Sequence, residues 1–242
     1  PEWYLLSYQK AMTASSCEEG REPSFAADEN VQTWWRAAGN QPGEWLAMDL
    51  GEVKDVRAVQ INFADDKIEA PLPGERQGER YIDPSQHKTR WLLEASADGT
   101  NYFVLEDKSD AETNLPHDFV VKEEGVQIRY LKLTVLEVPY SQNPCISGLR
   151  VFGLGNGEKP TEPQYQAERM GTMDMHITIE PQADAVGYNI LWGFAPDKLY
   201  HSCMTFAAEQ NIGALVEGET VYVRVDAFNE NGIIEGTEVI EL

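Results

Sequence analysis

Val59-Gln-Ile-Asn-Phe63 and Tyr130-Leu-Lys-Leu-Thr-Val135 alternate apolar with polar residues. Strict alternation is the mark of a strand with one buried face. The pattern recurs in Trp91-Leu-Leu-Glu-Ala95, His176-Ile-Thr-Ile179 and Val221-Tyr-Val-Arg-Val225. Turn signals separate the runs: Ala97-Asp-Gly-Thr100, Glu124-Gly125, Glu217-Gly218 and Asn231-Gly232. No long segment carries the helical period, so alternating strand–helix units are excluded. The fold class expected is all-β, built of sandwiches.

The chain divides at Gly153-Leu-Gly-Asn-Gly-Glu-Lys-Pro160-Thr-Glu-Pro163, a glycine- and proline-rich stretch that reads as a linker. Of 19 basic and 41 acidic residues, positions 1–159 hold 16 and 27, and positions 160–242 hold 3 and 14. Each side therefore carries a net −11, and like-signed units favour separate modules over one shared core. The domains expected are 1–153 (with a lead-in, 1–10), a linker at 154–162 and a second domain at 163–242.

A net charge of −22 disfavours nucleic acid, whose phosphates need Lys and Arg. No stretch approaches the ~20 apolar residues of a membrane helix. The start, Pro1-Glu-Trp-Tyr4, lacks a signal peptide and an initiator methionine, so the chain reads as a piece of something longer. Cys17, Cys145 and Cys203 show no zinc spacing. Pairing of Cys17 with Cys145 and buried free thiols are both open. Trp35 and Trp45 are expected in the core, because buried aromatics dominate sandwich interiors.

Three islands go further: Phe25-Ala-Ala-Asp28-Glu-Asn30-Val-Gln-Thr33-Trp34-Trp35, then Glu44-Trp45-Leu-Ala-Met-Asp49-Leu50-Gly51, then Arg129-Tyr-Leu-Lys-Leu-Thr134 with Ile146-Ser-Gly-Leu-Arg-Val-Phe-Gly153. With Ala95-Ser-Ala-Asp-Gly-Thr-Asn-Tyr102, their order resembles the discoidin, or F5/8 type C, family, which includes the family 32 carbohydrate-binding modules. The resemblance implies a jelly-roll β-sandwich over roughly residues 11–153. It implies a structural calcium ion at Asp28, Asn30 and Thr33, although the family's late glutamate is Gly148 here. The alternative is a loop held by Asp28 bonding to backbone N–H groups. It also implies sugar binding in loops at one sandwich edge. Aromatic platforms would be Trp34, Tyr81 and Tyr140; polar fingers would be Arg36, His87, Arg90, Asn114 and His117. The long loop Asp65–Arg90 is a further functional candidate.

Leu215-Val-Glu-Gly-Glu-Thr-Val-Tyr222-Val-Arg-Val-Asp-Ala-Phe-Asn229-Glu-Asn-Gly232 resembles a fibronectin type III (immunoglobulin-like) sandwich. Tyr222 would be its tyrosine-corner residue over Leu215, and Ile179 would replace a core tryptophan. The pairing is similar to C-terminal accessory regions of Bacteroidetes glycoside hydrolase family 43 proteins. It implies a noncatalytic module targeting xylan- or arabinan-type polysaccharides, in a secreted, periplasmic or cell-surface protein whose catalytic domain lies upstream. A purely structural tail packed on that domain is the alternative. No catalytic constellation is present, so no hydrolysis is expected. Trp3–Tyr8 is either the first strand of the sandwich or a segment that packed on the upstream domain.

Overall fold

The computed structural model describes residues 3–68 and 85–242. The chain forms two compact units, Leu5–Gly153 and Leu154–Leu242, the latter joined by the chain start through Tyr4. Both are almost entirely β, as the alternation predicts.

The strands of the first unit are β1 (Tyr4–Leu5), β2 (Ala11–Ala14), β3 (Trp35–Arg36), β4 (Glu44–Phe63), β5 (Arg90–Ser96), β6 (Phe103–Asp107), β7 (His117–Glu137) and β8 (Cys145–Leu154). They run in the order β1-β8-β4-β7-β5-β6, with β2 added on β4 and β3 on β8. The long strands β4 and β7 form the spine, antiparallel from Glu44 opposite Val135 to Asn62 opposite His117. Their register shifts between Asp49 and Lys54 and again between Val56 and Ala58. Such irregularities bend and twist a strand pair. Gly125 lies at the second shift with φ 77°, and a Cβ there would fall 2.0 Å from Asp55 Oδ1. A side chain at that φ would be strained, which favours glycine there.

Period two sets the core. Leu46, Met48 and Leu50 of β4, Leu131 and Leu133 of β7, and Trp91 and Leu93 of β5 are all 2% exposed or less. Trp35 is fully buried, as expected, and its indole N–H donates to Ser16 O at 2.9 Å. Trp45 is a correction. It shares the parity of Ala47 and Asp49, so it projects from the opposite face of β4 and is only half-buried. On that face Arg129 grips Asp49 through Nε–Oδ1 at 2.7 Å and Nη2–Oδ2 at 2.8 Å. These bonds hold the Asp49 carboxyl below the usual range. From Leu5 onward the lead-in belongs to this sandwich: Leu6 and Ser7 are buried, Leu6 N–H donates to Val151 O, and Ser7 Oγ accepts from Val151 N–H.

The second unit has β9 (Tyr165–Arg169), β10 (Met175–Ile179), β11 (Gly187–Gly193), β12 (His201–Thr205), β13 (Glu209–Ile212), β14 (Tyr222–Asn229), β15 (Gly232–Ile234) and β16 (Ile240–Glu241). One sheet runs β13-β10-β9; the other runs β12-β11-β14-β15, with β16 also on β14. Met175, Ile177, Ile190, Val223 and Val225 form a shared core, which Ile179 joins as expected. Tyr222 does not take the corner role. Val221, Val223 and Val225 face inward at 0% exposure, which turns Tyr222 to the other side. Among the described residues its hydroxyl has no hydrogen-bond partner, while Tyr165 donates its hydroxyl to Val223 O and Glu238 O.

The segment 154–162 is engaged by the second unit. Gly155 N–H donates to Glu230 O at 2.6 Å, and Gly157 N–H to Asn231 Oδ1 at 3.0 Å. The Asn229 and Asn231 amides both donate to Glu158 O, and Pro160 is buried. Asparagine side chains thus satisfy the backbone of a stretch whose composition alone reads as free linker.

Candidate functional site

Hydrogen bonds gather the loops around the ends of β4 and β7. Gly43 N–H donates to Val135 O, Phe63 N–H to Pro116 O and Ala64 N–H to Cys145 O. Gln142 clamps the start of the long loop: its Nε2 donates to Asp65 Oδ1 at 2.7 Å, and its Oε1 accepts Asp66 N–H at 3.3 Å. Arg90 ties β5 to Ala111 O, Glu112 and Glu137.

Most sequence-selected residues meet here, and most are already engaged. Arg36 is 8% exposed and paired with Glu18, so it is a strut and not a free finger. Trp34 donates its indole N–H to Asp66 Oδ2 at 3.0 Å, and the Arg21 guanidinium lies 4.0 Å from its ring centroid. Asn114 Oδ1 accepts from Thr89 at 2.8 Å, and His117 Nδ1 lies 3.1 Å from Asn62 Oδ1. Tyr81 lies outside the described residues.

His87 and Tyr140 come together, their ring centroids 4.1 Å apart and tilted by 39°. Tyr140 and Ser141 both hold left-handed backbone, with φ 60° and 51°. Each such non-glycine residue costs on the order of 1–3 kcal/mol, and strain of this kind clusters at binding sites. Asn40 fixes the kink by donating to Ser141 O at 2.9 Å. Beside it lies a depression of about 160 Å³ lined by Asn40, Gln41, Pro42, Glu137 and Gln142.

The Asp28 loop closes on itself. Asp28 Oδ1 accepts Asn30 N–H at 2.8 Å, and Oδ2 accepts the Thr33 hydroxyl at 2.6 Å. Glu29 turns away into a forked pair with Arg150, Nη2–Oε2 2.7 Å. At Gly148 a Cβ would lie 2.8 Å from Asn62 Nδ2. Calcium takes six to eight oxygens, preferably with several carboxylates. Asp28 is the one carboxylate of the expected set, and a guanidinium holds its neighbour, so these donors do not fit the ion. Neither EDTA nor millimolar calcium is expected to move the melting temperature in a thermal-shift series. A calcium-dependent rise of several degrees overturns that expectation.

All three cysteines are free: Cys17 exposed, Cys203 intermediate, Cys145 buried. Burial pushes the Cys145 thiol up to about 12, which leaves it unreactive near neutrality.

A second depression was missed by the sequence reading. It holds about 350 Å³ on the outer face of the β2–β4–β7–β5 sheet, lined by Thr13, Trp45, Ala47, Glu94, Tyr102 and Lys132. The parity of β4 is the signal that finds it, since Leu46 and Met48 inside put Trp45 outside.

Residues 11–72 match the F5/8 type C domain family. No curated protein matches the chain. Similar solved structures include chitosan-binding module 1 from a chitosanase/glucanase of Paenibacillus sp. IK-5, at 19% identity and TM-score 0.47, covering 62% of this chain and 99% of that one. Another is CpGH89CBM32-4 of Clostridium perfringens, in complex with GlcNAc-α-1,4-galactose, at 13% identity and TM-score 0.48, covering 62% and 94%. A third is CBM32-1 from a family 31 glycoside hydrolase of Clostridium perfringens, at 14% identity and TM-score 0.46, covering 60% and 96%. No helix among the described residues is long and apolar enough to cross a membrane.

Proposed function

We propose that the Leu5–Gly153 unit is a noncatalytic glycan-binding module whose site is the loop end around Tyr140. The observation that carries this reading is the left-handed pair Tyr140–Ser141, which holds an aromatic ring against His87 beside the amide-lined depression. A ring of this kind stacks on the C–H face of a sugar, while neighbouring amides and Glu137 meet its hydroxyls. The match of residues 11–72 to the F5/8 type C family supports it. In this reading the chain is an exported accessory region of a polysaccharide-degrading enzyme acting on xylan- or arabinan-type substrates, and it hydrolyses nothing itself. Shallow sites bind weakly, with Kd of roughly 0.1–1 mM, and linkage to an enzyme compensates by raising effective concentration.

Isothermal titration against xylan, arabinan and galactan fragments tests the proposal. Saturable binding is the expected result, with one component that Tyr140→Ala weakens about tenfold. Binding in which no component is weakened by Tyr140→Ala, or no heat with any fragment, overturns it.

The second unit supports a companion role. Its strand order suits the fibronectin type III-like reading, and Phe194, Tyr200, Met204 and Phe206 are 48%, 80%, 60% and 67% exposed. Exposed apolar side chains around β12 favour a docking module that packs on a neighbouring folded domain.

A further inference from the structure

We propose that the outer face of the β2–β4–β7–β5 sheet is a second binding platform, independent of the loop end, for a neutral oligosaccharide of all-equatorial pyranose units. The strand registers build it. Thr13 lies opposite Ala47, Ala47 opposite Lys132, and Lys132 opposite Glu94, in one row across four strands. At about 4.8 Å per strand the row runs roughly 14 Å. Ala47 gives this row a low floor. The Trp45 indole stands one pair further along β4, and Tyr102, 40% exposed, stands at the far side. The result is a shallow trough with aromatic walls and polar ends.

The polar groups are uncommitted. Among the described residues, no hydrogen bond engages the side chains of Thr13, Trp45, Glu94 or Tyr102. Glu94 and Lys132 face each other across the strands without forming an ion pair. Elsewhere in this unit such groups are engaged: the Trp34 and Trp35 indoles donate to Asp66 and Ser16, and Arg36, Arg90 and Arg129 are held by carboxylates. The Lys132 ammonium lies 5.3 Å from the Trp45 ring centroid, a cation–π contact that a ligand's own C–H face can replace.

Ligand class follows from the shape. An indole face accepts a flat array of axial C–H bonds. A pyranose with every hydroxyl equatorial presents that array on both faces, and its hydroxyls then radiate in the ring plane toward Thr13, Glu94 and Lys132. An axial hydroxyl obstructs the ring face it projects from, and in a β-1,4-linked chain, whose successive units alternate in orientation, both sides of the chain then carry one. The net charge of −22 repels uronate or sulfated chains.

Titration of the full chain, and of the Tyr140→Ala chain in which the loop end is silenced, with xylohexaose and cellohexaose tests this. Mannohexaose, with axial hydroxyls, and polygalacturonate serve as controls. Binding of the equatorial hexasaccharides should persist in Tyr140→Ala and weaken about tenfold or more in Trp45→Ala, the effect of removing one aromatic anchor. Lys132→Ala and Glu94→Gln, both surface changes that leave the fold intact, should each weaken it about threefold or more. Unchanged affinity in Lys132→Ala and Glu94→Gln overturns the proposal whatever Trp45→Ala does to folding. Equal binding of mannohexaose, loss of all binding in Tyr140→Ala, or no binding of either hexasaccharide overturns it too. So does self-association that Trp45→Ala abolishes, which would make this face a protein interface.

Discussion

Trp35→Ala is expected to destabilise the Leu5–Gly153 unit by about 3–5 kcal/mol, the range for deleting a buried aromatic side chain. Two costs combine. The indole is fully buried on β3, where Trp35 pairs with Ile146, so its removal leaves a cavity in the core. Its N–H also satisfies Ser16 O at 2.9 Å, and that carbonyl loses its partner. Domains are stable by only about 5–15 kcal/mol, so a loss of this size takes a large share. Urea denaturation measures it, and hydrogen exchange resolved by segment assigns the loss to residues 5–153. A change below 1 kcal/mol would show that the ring does not hold the sandwich together. Trp45→Ala, ten residues on, should cost less, since that residue is only partly buried.

The contrast between these tryptophans shows what the sequence reveals. Both lie in motifs of the same resemblance, and aromaticity alone sends both to the core. Parity separates them, because a strand sends neighbours to opposite faces and Leu46, Met48 and Leu50 claim the inside. The same rule separates Val221 from Tyr222: one residue of offset exchanges core for surface. Strands, turns and two sandwiches were legible because periodicity and glycine placement are local signals. Side-chain commitments were not. Arg36 reads as a polar finger until the fold brings Glu18 and Asp66 beside it, from 18 and 30 residues away. Asn229 and Asn231, which bind the 154–162 segment, lie about seventy positions from their partners.

Arg36→Ala is the second large effect expected, and it couples stability to the loop end. The Arg36 guanidinium bonds Glu18, which also holds Lys67, and its Nε sits 4.0 Å from Asp66 Oδ2. Asp66 in turn receives the Trp34 indole and lies 3.4 Å from Arg21 Nε. Removing a buried partner leaves the others desolvated without their counter-charge, which costs more than an exposed pair would. The expected loss in Tm is roughly 5–10 °C. The functional consequence runs through Asp66, whose N–H donates to Gln142 Oε1, and Gln142 N–H donates to Pro139 O, closing the turn that presents Tyr140. Loosening Asp66 should therefore weaken glycan binding at the loop end several-fold, while the Trp45 face, built on sheet registers, keeps its affinity. Arg36→Lys keeps the charge but not the planar fork, so it should recover part of the Tm and less of the binding. An Arg36→Ala protein that melts within about 1 °C of the native chain would show that Asp66 is held well enough by Arg21 and Trp34 alone, and that the loop end owes its shape to the Asn40 and Gln142 clamps.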